Sequence, residues 1–222
     1  MGKYISFDLD GTLVDADEMH YVALNRALEP HGTIITPAEH TATFKGLPTT
    51  KKLAMLVERE RIKPEDVPVI AALKQAATLK AIEDTVWPDR HVQALIGLLN
   101  RLGWSMCCCS NAVRESVVAM LRKSDLHLYM AFVLSNEDAD PKPSPAIYLK
   151  AAALFSIAPN QLVVVEDAAP GKAAARAAGC PLVEVASPAD CTPKLLPAIY
   201  RAAGVNGETS PRPWAFREES TR

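Results

Sequence analysis

The sequence predicts an α/β fold, a doubly wound parallel sheet with a small inserted α-helical cap domain. Two observations support this prediction. After residue 88, near-continuous apolar strands alternate with segments of helical periodicity, which is typical of a parallel sheet covered on both faces. Between residues 33 and 86, only helical patterns occur. We therefore expect a core domain of residues 1–15 and 88–205, a cap domain of residues 16–87, and a C-terminal tail of residues 206–222.

The composition excludes several classes of protein. The chain of 222 residues is long enough for one large domain with an insert, and its 49% hydrophobic residues can form a substantial core. The net charge of -2 gives no electrostatic case for nucleic-acid binding. No apolar run is long enough to span a membrane. The first predicted strand begins too early for a secretory signal, so we expect a cytoplasmic protein. A monomer is expected, with a dimer as the alternative.

The predicted elements follow one another in a simple order. A first strand at 4–9 precedes a helix at 18–29, which the sequence Pro30-His31-Gly32 ends. Helical patterns then cover 37–44, 49–61 and 64–82, and hinges between cap and core are expected near 14–17 and 84–89. In the remainder, helices are predicted at 89–102, 113–123, 145–155 and 171–178, and strands at 104–109, 132–134, 162–165 and 181–185. The tail contains prolines and several charges and is expected to pack loosely.

The five cysteines lack the spacing of metal ligands. Cys107, Cys108 and Cys109 are consecutive within a predicted strand, whereas Cys180 and Cys191 are far along the chain. Adjacent cysteines cannot form a zinc knuckle. They are expected to be buried free thiols in a reducing compartment.

Two carboxylates mark the end of the first strand. Asp8 and Asp10 are two residues apart, so on a strand their side chains point the same way, and Gly11 and Thr12 follow in a turn. Two adjacent carboxylates resist ionising together. A hard divalent cation such as Mg²⁺ would remove that repulsion. The alternative is an ordinary strand end with acidic turn residues.

Polar residues also follow the later strands. Ser110 and Asn111 follow the second predicted strand, Lys142 lies in the loop after the third, and Glu166 and Asp167 follow the fourth. Ligands of open parallel sheets bind beyond the carboxyl ends of the strands, so these residues are expected to meet in one site. Each also has an ordinary alternative: a helix cap, a solvated loop lysine, or acids at a helix N-terminus.

These residues, taken together, resemble a known family. Asp8-Leu-Asp-Gly-Thr is similar to motif I of the haloacid dehalogenase-like (HAD) phosphohydrolases, and Ser110, Lys142 and Glu166-Asp167 match motifs II, III and IV in order. The resemblance extends over roughly residues 4–190. It implies the HAD-like, Rossmann-like core, and the cap resembles that of the β-phosphoglucomutase and phosphoglycolate phosphatase-like branch.

The resemblance implies a role for each catalytic candidate. Asp8 would be a nucleophile that forms an aspartyl-phosphate, and Asp10 a general acid and base. Ser110 would hold a phosphate oxygen, helped by the backbone N–H groups of the helix that follows. Lys142 would offset charge on the nucleophile and on the phosphoryl group.

The resemblance also implies a metal site. Asp167 would bind Mg²⁺ together with an oxygen of Asp8 and the backbone carbonyl of Asp10. Glu166 would be either a further ligand or a hydrogen-bonding neighbour of one. The family's usual serine after the Glu-Asp pair is Ala168 here, a change that removes a hydroxyl near the metal without removing a ligand.

The cap is expected to select the substrate. The segment Phe44-Lys-Gly-Leu-Pro-Thr-Thr-Lys resembles the substrate loop of the β-phosphoglucomutase-like branch, and His20 occupies the place of a histidine near the acid/base aspartate. The mutases have an arginine at the position of Thr49, and a threonine cannot clamp a second phosphate. Lys51 or Lys52 could substitute, and Lys80 is a further surface candidate. The candidate substrate-binding residues are His20, Lys45, Gly46, Thr49, Lys51 and Asn111.

The function predicted from the sequence is a Mg²⁺-dependent phosphatase that hydrolyses a small phosphorylated metabolite, such as a sugar phosphate or a similar phosphomonoester. The first alternative is a sugar-phosphate mutase, which would need a second phosphate site. The second is a non-catalytic protein that binds phosphorylated metabolites, although no motif residue is missing. A dehalogenase would need neither Asp10 nor Asp167, so those two residues argue against it.

Overall fold

The computed structural model describes residues 2–205 and contains one five-stranded parallel sheet. The strand order is β3-β2-β1-β4-β5, so the first strand lies in the middle. The strands are β1 (Lys3–Phe7), β2 (Trp104–Cys109), β3 (Met130–Leu134), β4 (Leu162–Glu166) and β5 (Leu182–Glu184). Phe7 is in register with Cys108 on one side and Val165 on the other. The carboxyl ends of three central strands therefore lie side by side.

Helices cover the sheet and also form the insert, which is the helical segment that follows β1 in the chain. The first four belong to the insert: α1 (Asp17–Leu28), α2 (Pro37–Glu39, continued as a π-helix over His40–Phe44), α3 (Thr49–Glu58) and α4 (Val67–Thr85). The others are α5 (Arg90–Arg101), α6 (Arg114–Lys123), α7 (Ala146–Leu154), α8 (Ala169–Ala178) and α9 (Leu196–Ala202). This architecture confirms the predicted fold class.

The apolar strands bury both of their faces. On β1, Ile5 and Phe7 are fully buried in one apolar cluster, which Cys108 of β2 joins. Cys107 and Cys109 point to the opposite face and pack in a second cluster with Tyr148 of α7. Because side chains alternate along the strand, the three consecutive cysteines are all buried, on opposite faces of the sheet. The prediction of buried free thiols is confirmed for them.

The insert has an apolar cluster of its own. Leu24 and Leu28 of α1 are fully buried there against Phe44, Leu53 of α3 and Ile70 of α4. A block of helices with a separate core is what the sequence predicted for a cap. Its limits, 16–87, remain a prediction.

Most predicted elements are present, with shifts at their ends. The first strand ends at Phe7 instead of residue 9, because the Leu9 carbonyl accepts backbone hydrogen bonds from Leu13 and Val14 and so closes a turn. Helix α3 ends three residues early, before Glu60, whose φ is 56°. Helix α9 was not predicted. The predicted tail, 206–222, lies outside the described residues.

No helix in the described part of the chain is both long and apolar enough to cross a membrane.

Two glycines, one at the end of a helix and one inside a helix, give a matched test of backbone strain. Gly179 ends α8 with a φ of 73°, and nothing lies within 4 Å of where a Cβ would be added. Gly179→Ala should therefore destabilise the fold by about 1 kcal/mol through backbone strain alone. Gly97 lies inside α5 at ordinary helical angles, so Gly97→Ala should stabilise the fold by up to about 1 kcal/mol. Chemical denaturation measures both; equal effects would contradict this explanation.

Candidate active site

Four loops bring predicted catalytic and metal-binding residues to one cavity at the carboxyl edge of the sheet. Asp8 directly follows β1, Ser110 follows β2, and Glu166 is the last residue of β4. Lys142 reaches the same place from the loop after β3. All four side chains line one cavity together with residues of the insert. The convergence follows from the parallel strand order.

A buried ammonium group lies at the centre of the site. Lys142 Nζ donates hydrogen bonds to Asp8 Oδ1 at 2.6 Å and to Glu166 Oε2 at 2.8 Å. Tyr148 donates a further hydrogen bond to Glu166 Oε2 at 2.8 Å. Gly171 leaves room for this carboxylate, because a Cβ there would lie 1.9 Å from Glu166 Oε2. The sequence therefore needs a glycine at this point for reasons of space.

The charges of this cluster perturb one another. Burial opposes the charge on Lys142, but Asp8 and Glu166 outweigh it and raise the lysine's pKa well above its ordinary value. For Asp8, burial and the neighbouring Glu166 raise the pKa well above the ordinary value in spite of Lys142. One ammonium group therefore does not compensate the carboxylates around it.

A third carboxylate completes an acidic cluster. Asp8, Glu166 and Asp167 each offer one oxygen, and these oxygens lie within 4.8 Å of one another. Asp167 Oδ1 accepts a hydrogen bond from Thr12 at 3.1 Å. Its other oxygen, Oδ2, is buried and has no hydrogen-bond partner among residues 2–205. Lys45 Nζ is 3.6 Å from it, beyond hydrogen-bonding distance.

This cluster fits a hard divalent cation. Three close carboxylates with one unpartnered buried oxygen need positive charge, and oxygen ligands of this kind suit Mg²⁺. Asp8, Asp167 and Glu166 are the side chains that would hold it. The expected contribution of the Asp10 backbone carbonyl remains a prediction.

Asp10 takes part in a chain of contacts toward the insert. His20 Nε2 lies 2.9 Å from Asp10 Oδ1, and Lys74 Nζ lies 3.3 Å from His20 Nδ1. An ammonium group can only donate, so Nδ1 accepts a hydrogen bond from Lys74 and Nε2–H donates a hydrogen bond to Asp10. Burial alone would raise the pKa of Asp10, but His20, Lys74 and Lys52 outweigh it, and the pKa lies below its ordinary value.

Ser110 has one local contact and one contact inside the cavity. Its hydroxyl accepts a hydrogen bond from the Ala112 N–H at 3.0 Å, as a local cap does, and it also lies 3.4 Å from Asp10 Oδ2 inside the cavity. The local hydrogen bond therefore does not turn the hydroxyl away from the cavity, and its contact with a phosphate oxygen remains a prediction.

Asn111 joins the insert to the core. Its side-chain N–H groups donate to the carbonyl of Gly46 at 3.0 Å and to that of Lys142 at 3.1 Å, and its Oδ1 accepts from the Lys142 N–H at 2.8 Å. These bonds occupy its polar atoms. The structure therefore favours a positioning role for Asn111 over direct contact with substrate.

The other predicted substrate-binding residues divide into two groups. Lys45, Gly46 and Thr49 line the cavity, and Lys45 forms an ion pair with Asp17. Lys51, in contrast, is exposed and does not line it; its neighbour Lys52 does. The choice of Lys51 is corrected accordingly, because α3 turns residue 52 inward.

Lys74 is not among the predicted site residues, although the sequence carries a signal for it. The buried positions of α4 are Ile70, Lys74, Thr78 and Ile82, spaced four residues apart. A lysine in the buried stripe of a helix indicates a specific environment, since lysine is seldom buried. Lys80, the surface candidate, pairs with Asp84 outside the cavity.

Comparisons with known proteins support the family resemblance of the sequence motifs. The Haloacid dehalogenase-like hydrolase family matches residues 5–185. A phosphoglycolate phosphatase of Cupriavidus necator is 30% identical over 80% of this chain and 78% of its own length. Hexitol phosphatase A of Escherichia coli is 30% identical over 87% of each chain.

Solved structures show the same fold. β-Phosphoglucomutase from Clostridium difficile superposes with a TM-score of 0.78 at 19% identity, over 90% of this chain and 98% of its own. CbbY from Rhodobacter sphaeroides, solved in complex with phosphate, gives 0.75 at 22% identity, over 83% and 86%. The match over most of the chain and the 30% identical relatives, together with the site, show that this chain belongs to the haloacid dehalogenase-like hydrolase family.

Proposed function

We propose that this hydrolase is a Mg²⁺-dependent phosphatase that removes phosphate from a small phosphorylated metabolite through an aspartyl-phosphate on Asp8. The observation that carries the proposal is the Asp8 carboxylate, which lines the cavity and is held by Lys142 beside two further carboxylates. The names of the relatives, phosphatases of phosphoglycolate and hexitol phosphate, support a small phosphomonoester such as a sugar phosphate as substrate.

Asp8 is suited to attack phosphorus. Lys142 holds the Asp8 carboxylate in the cavity, where one of its oxygens can attack phosphorus. The same ammonium group offsets the negative charge that gathers on the phosphoryl oxygens during transfer. Bound Mg²⁺ supplies further positive charge at this point and keeps the clustered carboxylates ionised. The Ser110 hydroxyl, which lines the same cavity, can donate a hydrogen bond to a phosphoryl oxygen.

Asp10 is suited to move the proton. With His20 donating to it, the free site holds Asp10 as a carboxylate. A phosphate dianion in the cavity raises the pKa of a nearby carboxyl group, so substrate binding favours the protonated form that the leaving oxygen needs. After transfer, the Asp10 carboxylate accepts a proton from the water that hydrolyses the aspartyl-phosphate.

Hydrolysis is favoured over a mutase reaction. A mutase must hold a second phosphate firmly while the substrate turns round, and the position of the mutase arginine is occupied by Thr49, which lines the cavity. A hydroxyl group cannot form the paired bonds of a guanidinium group. Release of free phosphate, without conversion of a sugar 1-phosphate into its 6-phosphate, distinguishes the two reactions.

Asp8→Asn should reduce phosphate release from an aryl phosphate on the order of a thousandfold or more, because the amide is a poor nucleophile. The matched control is Asp15→Asn, since Asp15 is exposed and outside the cavity. The control should keep full turnover. Turnover by Asp8→Asn equal to that of the control would refute the nucleophile.

Removal of divalent metal with a chelator should stop phosphate release, and added Mg²⁺ should restore it, because the carboxylate cluster is otherwise short of positive charge. Asp167→Asn should raise the Mg²⁺ concentration needed for half-maximal rate. Full turnover in chelator would contradict the metal requirement.

Lys142→Met should lower turnover on the order of a hundredfold and destabilise the fold by about 3 kcal/mol at pH 7, because it leaves buried carboxylates unpaired. The pKa of Asp8 is already raised, so in the variant the stability should fall further as the pH rises from 5 to 7. Lys150→Met, at a half-exposed lysine that pairs with Asp138, is the control. Thermal unfolding at both pH values tests this; equal losses for the two variants would count against it.

A further inference from the structure

A buried tyrosine lies behind the charged centre of the site. Tyr148 of α7 is 0% exposed and packs with Cys107 and Cys109 in the second apolar cluster. It does not line the cavity, so a substrate bound there would not touch it. A phenol is costly to bury in apolar surroundings unless its hydroxyl finds a hydrogen-bond partner. The partner of this hydroxyl belongs to the site.

The chain brings Tyr148 and Lys142 to the site from one short segment. Lys142 lies in the loop after β3, and α7 begins at Ala146, only four residues later. The N–H of Tyr148 donates to the Pro145 carbonyl at 3.1 Å, so Tyr148 belongs to the first turn of the helix. The position of this turn therefore fixes the tyrosine relative to the lysine.

The hydroxyl of Tyr148 shares one carboxylate oxygen with Lys142. Tyr148 Oη and Lys142 Nζ each donate a hydrogen bond to Glu166 Oε2, both at 2.8 Å. The other oxygen, Oε1, accepts a hydrogen bond from the Ala168 N–H at 3.1 Å. Hydrogen bonds to a charged acceptor are stronger than those between neutral groups. These donors therefore hold the Glu166 carboxylate in one orientation.

The ring of Tyr148 lies against the same ammonium group. Lys142 Nζ is 5.1 Å from the ring centroid, within the range of a cation–π interaction, which is stronger away from water. Lys142 is 3% exposed, so little water competes there. Tyr148 thus contacts both the lysine and the carboxylate that is paired with it.

Two carboxylates compete for this ammonium group. Lysine has a flexible stem and a rotatable ammonium group, so the side chain alone does not decide which carboxylate it favours. The Tyr148 hydroxyl already serves Glu166 Oε2 and so weakens the attraction of that oxygen for Lys142. The distances from Nζ agree with this, 2.6 Å to Asp8 and 2.8 Å to Glu166. Without the hydroxyl, the balance would shift toward Glu166.

We propose that Tyr148 is a positioning residue for phosphoryl transfer, which keeps the Lys142 ammonium group bonded to Asp8 and open to the phosphoryl group. The inference rests on the proposed phosphatase function. Within residues 2–205, Lys142 Nζ uses two of its three N–H donors on Asp8 and Glu166, and the third remains for a phosphoryl oxygen. Because Tyr148 does not line the cavity, it acts on the rate of transfer and not on substrate binding.

Tyr148→Phe removes the hydroxyl and keeps the ring. With p-nitrophenyl phosphate and saturating Mg²⁺, kcat should fall about tenfold or more, while KM should stay within about twofold of the wild-type value, because only the transition state is affected.

The matched control is Tyr200→Phe, which removes a buried hydroxyl from a similar environment away from the site. Tyr200 accepts a hydrogen bond from Lys3 Nζ at 3.2 Å, and the same Nζ lies 5.3 Å from its ring centroid. This variant should keep the wild-type kcat. Chemical denaturation of both variants shows that each is folded under the assay conditions.

A double-mutant cycle tests whether Tyr148 acts through Lys142. Once Lys142→Met has removed the ammonium group, Tyr148→Phe should lower kcat by no more than about twofold further. Losses that multiply in the double variant would contradict positioning through Lys142. If Lys142→Met does not fold, Lys142→Gln takes its place in the cycle.

The outcomes separate this inference from the function on which it rests. If the wild-type protein cleaves the aryl phosphate and Tyr148→Phe keeps full kcat or changes KM alone, the positioning role is overturned and the phosphatase function stands. Equal losses of kcat in Tyr148→Phe and Tyr200→Phe would also overturn it, since they would show a general effect of a lost buried hydroxyl. If the wild-type protein does not cleave the aryl phosphate, the phosphatase function fails, and the inference fails with it.

Discussion

The site depends on one buried ammonium group held between two carboxylates. Lys142 bonds to Asp8 and Glu166 at 2.6 and 2.8 Å in a place that solvent scarcely reaches. Without this cation the carboxylates would repel one another and tend to be protonated, and a protonated Asp8 would be a poor nucleophile. Asp167 adds a further negative charge, so the three carboxylates carry more charge than Lys142 offsets. This excess suits the cluster to a divalent metal.

The sheet makes this arrangement possible. Because β1 lies between β2 and β4, the residues that follow these strands meet at one edge although they are far apart in sequence. The insert then covers that edge and is tied to it through Asn111, which bonds to the Gly46 carbonyl and to the Lys142 backbone. The core thus supplies Asp8, Lys142 and Glu166 to the cavity, and the insert lines the same cavity with His20, Lys45 and Lys52.

Much of this could be predicted from the sequence, for identifiable reasons. Asp8 and Glu166 lie at the ends of strands whose apolar runs are unmistakable, and a parallel sheet fixes where such ends meet. It is harder to predict which side of a helix in the insert faces the cavity. Lys51 and Lys52 are adjacent lysines, and only the rotation of α3 about its axis decides which of them points inward. Tyr148 could not be foreseen at all, since a tyrosine in an apolar helix gives no sign that its hydroxyl meets Glu166.

The stereochemistry at phosphorus shows whether Asp8 accepts the phosphoryl group before water does. An ester whose phosphorus is made chiral with oxygen isotopes and sulfur is hydrolysed, and the configuration of the released thiophosphate is determined. Two successive in-line displacements, the first by Asp8 and the second by water, each invert the configuration at phosphorus, so we expect overall retention. Inversion would show a single direct attack by water and would contradict this expectation.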